Sequence, residues 1–240
     1  MNRMNKMIRN LAGLLVITLT ITSSIVPVEA SSKVKAKYSI DGYTVTNLPE
    51  KATLNALVDS KRGVDTRAFL SLYQHDSKYL EFEGDKDQAG STVTLQVGKR
   101  YHIMADCINY GKEAAKDVRF ALKLPQQIKA GDTSKMTAKF TASNTTQNII
   151  KNTIRLTSDK AIKIVPVKKS LEVWPAVKEG TGSVETYSIN LSDMLSDQGV
   201  KVGSEKNNGI LYGYQEYGLK SPAQAVGICV SLDFDVVAAK

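Results

Sequence analysis

The stretch HIMADC places a histidine, an aspartate and a cysteine within a few residues, at His102, Asp106 and Cys107. A cysteine nucleophile needs a base within hydrogen-bond reach, and a third group usually holds that base. The alternation of apolar residues here predicts a β-strand, in which His102 and Asp106 share one face and Cys107 points to the other. At about 3.3 Å per residue, His102 and Asp106 stand about 13 Å apart along the strand. The pattern therefore favours an ordinary strand over a catalytic triad.

Metal binding has two candidate sources in the sequence. His75 is the only other histidine, and no HExxH or paired CxxC spacing exists, so zinc is not expected. The loop EFEGDKDQAG offers carboxylates at alternate positions around a glycine, a calcium-type arrangement without the full EF-hand pattern. A lysine inside the loop adds positive charge, which favours a solvated hairpin loop over a calcium site. No cofactor is expected for the chain. The carboxylates are Glu81, Glu83, Asp85 and Asp87.

An aromatic strip, LYGYQEYG, is the strongest ligand-binding candidate that the sequence offers. It carries Tyr212, Tyr214 and Tyr217 among glycines. Tyrosine combines an apolar face with a polar tip, which suits stacking on sugars or packing against a protein partner. Tyr212 and Tyr214 share a face if the segment is a strand, although ordinary strand packing explains the same residues and is favoured.

The elements that must position these groups are mostly β-strands. The clearest amphipathic strand runs from Val118 to Leu124, and the last strand, AVGICVSLDFDVV, alternates apolar residues with Cys229, Asp233 and Asp235. We expect that last strand to be central and to line the core. Short runs separated by Gly, Asn, Asp and Pro predict antiparallel sheets packed as a sandwich, with one or two short helices near Leu191.

The amino-terminal region has the features of an export signal. Basic residues precede an apolar run from Leu11, and small residues stand before a cleavage position after Ala30. We expect a signal peptide at 1–30, an extension packing on the sandwich at 31–65 and the sandwich itself at 66–240. The expected location is secreted, extracellular or cell-surface associated. The alternative is an uncleaved signal segment that anchors the chain in a membrane, since the apolar run is nearly long enough to span it.

Charge and cysteine content give weaker predictions. The chain carries a net charge of +8, and loss of Arg3, Lys6, Arg9 and Glu29 with the signal peptide would leave it mildly basic. This charge could favour anionic wall polymers or lipid headgroups, but the lysines are scattered along the sequence, so a solvated surface is favoured. An exported chain with two cysteines can form one bridge at most. Cys107 lies in phase with the core face of its strand, whereas Cys229 lies out of phase with the core face of its own, which favours free thiols over a disulfide.

The segment QVGKRYHIMADCINYG, followed by AAKDVRFALKLP, resembles the opening strands of immunoglobulin-like surface domains of Gram-positive bacteria. Conserved-repeat and cell-adhesion-related domains belong to this class. The resemblance also extends to single-unit secreted proteins, through segments at 141–144, 156–159 and 212–214. It implies an immunoglobulin-like β-sandwich and implies no catalytic or binding residues. Its first motif is carried by Gly98, Lys99, Asn109, Gly111, Ala115, Asp117, Val118, Leu124 and Pro125.

Together these features predict an exported, non-enzymatic domain of the binding or adhesion type. The expected partner is a cell-wall polymer, a carbohydrate or a surface protein. Nucleic acid is not expected, because the basic residues form no stripe along the chain and the chain is exported. No membrane span is expected after signal cleavage. Two alternatives remain open: a secreted hydrolase or carbohydrate-active enzyme whose acids meet only in three dimensions, and a structural subunit of a surface assembly.

Overall fold

The computed structural model describes residues 49–56, 58–59, 64–75, 92–176, 186–213 and 226–239. Within them the chain is mostly β, and two large sheets share one hydrophobic core. The helical segments are a 3-10 turn and a short helix, α1. The strands are β1 (Val58–Asp59), β2 (Val64–Asp65), β3 (Leu70–Gln74), β4 (Thr92–Thr94), β5 (Arg100–Ile108), β6 (Arg119–Lys123), β7 (Gln127–Ile128), β8 (Thr133–Thr141), β9 (Ile149–Thr157), β10 (Ile162–Pro166), β11 (Glu172–Ala176), β12 (Val200–Lys201) and β13 (Gly227–Ala238), and the helical segments are Lys168–Ser170 and Leu191–Met194 (α1).

The first large sheet is built around the last strand of the chain. Its order is β3-β5-β13-β10-β7, and β11 also pairs with β13. One edge of β13 pairs with β5, while its other edge is divided between β11 and β10. The apolar positions of β13 from Ile228 to Val236 are buried in the core. The prediction of a central, core-lining final strand is therefore confirmed.

A break between β10 and β11 fixes the position of Asp233 on β13. The pairing of β10 with β13 ends at Pro166, whose nitrogen has no N–H to donate to the ladder. The 3-10 turn follows, and the Val167 N–H donates to the Asp233 carbonyl over 2.8 Å. The Ser170 hydroxyl oxygen accepts from the Asp233 N–H over 2.7 Å. The backbone of Asp233 is thus satisfied on the edge of β13 where neither β10 nor β11 lies beside it.

The second large sheet has the order β12-β6-β8-β9-β4. Its longest ladder is the antiparallel pairing of β8 with β9. One edge departs from the predicted antiparallel arrangement, because β4 runs parallel to β9. Phe140 of β8 joins the two sheets in the core, with ring centroids 4.8 Å from Phe120 and 5.4 Å from Phe69.

The helix α1 follows its predicted position near Leu191 and begins with a side-chain cap. The Asn190 side-chain oxygen accepts from the Ser192 N–H over 2.9 Å and from the Asp193 N–H over 3.3 Å. These bonds satisfy two of the backbone donors that a helix start leaves unpaired. Met194 is fully buried and holds the helix against the core.

Asn109 joins three segments of the chain. It is fully buried, and its side-chain oxygen accepts from the N–H groups of Thr53 and Gly111 over 3.0 Å. Its amide donates to the Leu211 carbonyl over 3.2 Å. A Cβ at Gly111 would lie 2.1 Å from the Lys51 carbonyl oxygen. This close approach explains the glycine, and it packs residues 49–56 against the sheets.

Candidate functional site

The stretch HIMADC lies on β5, and its side chains alternate as the sequence predicts. Ile103, Ala105 and Cys107 are buried in the core between the sheets. His102 and Asp106 lie on the opposite face of the same strand. The three residue types of the apparent triad are therefore separated by the strand itself.

The ladder between β5 and β13 gives His102 a partner from the far end of the chain. Asp233 lies opposite His102 in the register, and its Oδ1 is 2.6 Å from His102 Nδ1. The second oxygen, Oδ2, is 3.3 Å from Nε2 of His75, which follows β3. The side chains of His102 and Asp233 are each 12% exposed, whereas His75 is 48% exposed. Two histidines thus flank one carboxylate on the outer face of the first sheet.

Among the described residues, this cluster contains a base and its orienting acid but no nucleophile. Burial by itself raises the pKa of Asp233, and the hydrogen bonds and charges of His102 and His75 outweigh it, so the pKa lies below its usual value. A proton on His102 Nδ1, donated to Asp233, would leave a lone pair on Nε2. That nitrogen is buried and has no hydrogen-bond partner in the described part of the chain. The arrangement resembles half of a hydrolytic site.

Asp106 and Cys229 form a second polar pair on the same face. The two are opposite in the ladder, and the Cys229 thiol donates to the Asp106 carboxylate. Burial raises the pKa of Asp106 to about 6, and the thiol hydrogen bond offsets part of that rise. The Oδ1 atom of Asp106 is buried without a partner among the described residues.

Both cysteines are buried and free. Cys107 faces the core, while Cys229 lies opposite Asp106 on the other face, so the sheet separates the two thiols. Burial raises the pKa of each thiol well above its usual value, and the nearby Asp106 carboxylate adds to both shifts. A disulfide between Cys107 and Cys229, the alternative left open by the sequence, is absent from this geometry.

The other sequence-based candidates have limited structural support. Tyr212 is half-buried, and its carbonyl accepts from the Asn109 amide over 3.2 Å. Tyr214 and Tyr217 lie outside the described residues, as does the predicted calcium loop with Glu81, Glu83, Asp85 and Asp87. Among residues that are described, no three His, Cys, Asp or Glu side chains are grouped so that they could hold a metal ion. No helix in the described ranges is long and apolar enough to cross a membrane.

A strongly charged surface lies on the second sheet, which we call the basic face. The strands β4, β6, β8, β9 and β12 contain seven Lys or Arg residues and no Asp or Glu. The strands of the first sheet instead contain four acidic and two Lys or Arg residues. The seven lie on the side of the sheet opposite the core: Arg119, Lys123, Lys135, Lys139, Lys151, Arg155 and Lys201.

The register of β8 with β9 places like charges directly opposite each other. Lys139 pairs with Lys151, and Lys135 pairs with Arg155. Cβ atoms of opposed residues are about 5 Å apart, and like charges in this position destabilise a sheet. These positions therefore carry an electrostatic cost that a bound anion would remove.

Only part of this charge is neutralised within the protein. Asp117, at the edge of the sheet, lies 3.1 Å from Lys201 Nζ and 3.5 Å from Arg119 Nε. The Lys139 ammonium donates to the Asp197 carbonyl over 2.5 Å. Lys123, Lys135 and Lys151 are exposed and form no ion pair in the described ranges.

The basic face could not be predicted from the spacing of basic residues along the chain. The lysines are separated in sequence, and only the pairing of β6, β8 and β9 gathers them. A signal was nevertheless present, since TSKMTAKFT and IIKNTIRLT each place two basic residues four positions apart, on one face of a strand. No family model, curated protein or solved structure matches this chain.

Proposed function

We propose that this protein is an exported, non-enzymatic binding domain with an immunoglobulin-like β-sandwich, and that its basic face binds an anionic partner outside the cell. The observation that carries the proposal is the concentration of seven cations, without a strand acid, on one side of the second sheet. Two sheets around one core and the resemblance to surface domains support the fold assignment.

The distribution of charge favours recognition of an extended anionic surface. A patch of one sign raises the local concentration of oppositely charged partners and speeds their association. The three exposed lysines Lys123, Lys135 and Lys151 lie on three neighbouring strands, so their charges cover a flat area instead of a pocket. A polymer or a surface fits this shape better than a small ion does.

The remaining chemistry supports binding over catalysis. A thiol must ionise to act as a nucleophile, and burial raises the pKa of both Cys107 and Cys229. His102 Nε2 has no hydroxyl or thiol partner among the described residues. The hydrolase alternative therefore lacks an assembled nucleophile in this part of the chain.

Retention on an anionic matrix tests the proposal. We compare the purified protein with the variant K123Q/K135Q/K151Q and with a control, K160Q/K168Q/K169Q. The control removes the same charge from exposed lysines outside the strands of the basic face. Each lysine near an anionic surface contributes about 1 kcal/mol, so the first variant should bind about 100-fold more weakly.

We expect the control to lose much less affinity and the binding of the unmodified protein to fall as salt increases. Equal losses in the two variants would show that net charge alone matters and would reject the basic face as the site. Absence of retention on any anionic matrix at low salt would reject the proposed function.

A further inference from the structure

We infer that the partner of the basic face is a linear polyol phosphate, a polymer of phosphodiesters joined by open-chain hydroxylated units. This inference rests on the proposed function and adds the chemical class of the partner. The observation that carries it is the arrangement of hydroxyl groups and cations along the ladder of β8 with β9.

Two threonines occupy the centre of this ladder. Thr137 and Thr153 are opposed in the register, and their hydroxyl oxygens are 3.1 Å apart. Within such a pair one hydroxyl donates to the other, so one O–H group and several lone pairs remain for an external partner. The pair therefore offers both a donor and acceptors at the surface.

Cation pairs flank the threonines on both sides. On the same face of the ladder, the pair Lys139 and Lys151 lies two residues from the threonines in one direction. The pair Lys135 and Arg155 lies two residues away in the other direction. Alternate residues on a strand are separated by about 6.7 Å, so the two cation pairs stand about 13 Å apart with the hydroxyls midway. Lys123 lies beside Thr137 on the neighbouring strand and adds a charge at the middle position.

A polymer with alternating anionic and hydroxylated parts matches this order. Its phosphates would lie against the cation pairs and reduce their mutual repulsion. Two three-carbon repeats span the distance of about 13 Å between the pairs, so an intermediate phosphate would lie near Lys123, and the hydroxyls on either side of it would exchange hydrogen bonds with Thr137 and Thr153. A polyanion without hydroxyl groups would use the cations but leave the threonines without a role.

The described strands of the basic face carry no outward aromatic side chain, which argues against ring-shaped partners. The aromatic residues of the five strands are Phe120 and Phe140, and both are buried in the core. Sugar rings and nucleic acid bases are usually bound by stacking on exposed aromatic rings. An open-chain polyol needs hydroxyl partners and no stacking platform. The described part of the basic face offers hydroxyl groups and no aromatic ring.

The test compares four probes at physiological ionic strength. They are poly(glycerol phosphate), a polyacrylate of matched length and charge, which has no hydroxyl groups, single-stranded DNA and phosphatidylglycerol vesicles. We expect the protein to bind poly(glycerol phosphate) at least about tenfold more tightly than the other three probes, since the extra hydrogen bonds each contribute about 1 kcal/mol.

The variant T137V/T153V removes the hydroxyls and keeps the side-chain shape. It should weaken binding of poly(glycerol phosphate) by about tenfold and leave binding of the polyacrylate unchanged, while far-UV circular dichroism reports that the variant is folded. T133V/T157V is the matched control, because this opposed threonine pair lies at the end of the same ladder, beyond the last cation pair.

The outcomes separate the two proposals. Equal affinity for all four probes, or no effect of T137V/T153V, would overturn the polyol phosphate while the basic face remained an anion-binding surface. Tighter binding of DNA or of vesicles would also overturn it. A protein that binds none of the four would overturn both this inference and the proposed function.

Discussion

The buried carboxyl group of Asp106 should make the protein less stable as the pH rises from acidic to neutral. Burial raises its pKa from 3.8 to about 6 in the folded protein, and the Cys229 thiol compensates only in part. Between these two values the native state binds more protons than the unfolded state. The free energy of unfolding therefore falls as the pH rises through this window.

The magnitude follows from the two pKa values. The difference between 3.8 and about 6, at about 1.4 kcal/mol for each pKa unit, corresponds to about 3 kcal/mol. Asp106→Asn removes the titration. The free energy of unfolding of the variant minus that of the unmodified protein should therefore increase by about 3 kcal/mol from below pH 4 to above pH 6. The amide has its own burial cost, but that cost is independent of pH.

Urea unfolding at a series of pH values measures this difference. Trp174 is the only tryptophan, and it pairs with Cys229 in the ladder beside Asp106, so its fluorescence reports on this region. Far-UV circular dichroism provides the global signal for comparison.

Asp235→Asn serves as a control of opposite sign. The hydrogen bond and charge of Arg100 lower the pKa of Asp235, so its contribution to stability is present at neutral pH and is lost as the pH falls. A difference between Asp106→Asn and the unmodified protein that stays constant from below pH 4 to above pH 6 would refute the reasoning about Asp106.

Three further predictions follow from other contacts. Asp233→Asn should lower the free energy of unfolding at neutral pH by about 1.5–3 kcal/mol, because it weakens charged hydrogen bonds to two histidines. Since the pKa of Asp233 is lowered, this loss of stability should become smaller in acid. Urea unfolding at several pH values measures the loss, and a loss that became larger in acid would contradict the prediction. Alkylation without reductant should label Cys107 and Cys229 only after unfolding, and a mass spectrum with no adducts on the unfolded chain would contradict free thiols. Lys151→Glu should raise the free energy of unfolding by about 0.2–1 kcal/mol by facing Lys139 with an opposite charge, and a lower midpoint of urea unfolding would argue against the repulsion.

Side-chain orientation within each strand could be predicted from the sequence. A strand that lines a core must alternate, so the burial of Ile103 and Cys107 and the outward position of His102 follow from period two alone. The same argument separated Cys107 from Cys229. These predictions succeed because each depends on neighbours along the chain.

Contacts between strands could not be predicted in this way. His102 and Asp233 are 131 positions apart, and no local pattern specifies which strand pairs with β5 or in which register. The need for a hydrogen-bond partner could nonetheless be predicted, because a polar side chain that becomes buried on a strand must find hydrogen bonds. His102 and Asp233 both interrupt apolar strands on the face away from the core, which makes them mutual candidates.

The two outer faces use their polar groups in different ways, and this difference supports the second sheet as the proposed binding surface. On the first sheet Asp233 is bonded by two histidines, and Trp174 donates to Ser231 over 3.2 Å, so these groups satisfy one another. Two atoms on that face, His102 Nε2 and Asp106 Oδ1, have no partner among the described residues, but both are buried and out of reach of an external ligand. On the second sheet the ladder opposes Lys139 to Lys151, and neither can satisfy the other. Groups that are already paired gain little from a ligand, because binding must first break their contacts. Groups that repel each other gain stability when an anion is placed between them, and the second sheet is therefore the surface on which a partner has most to contribute.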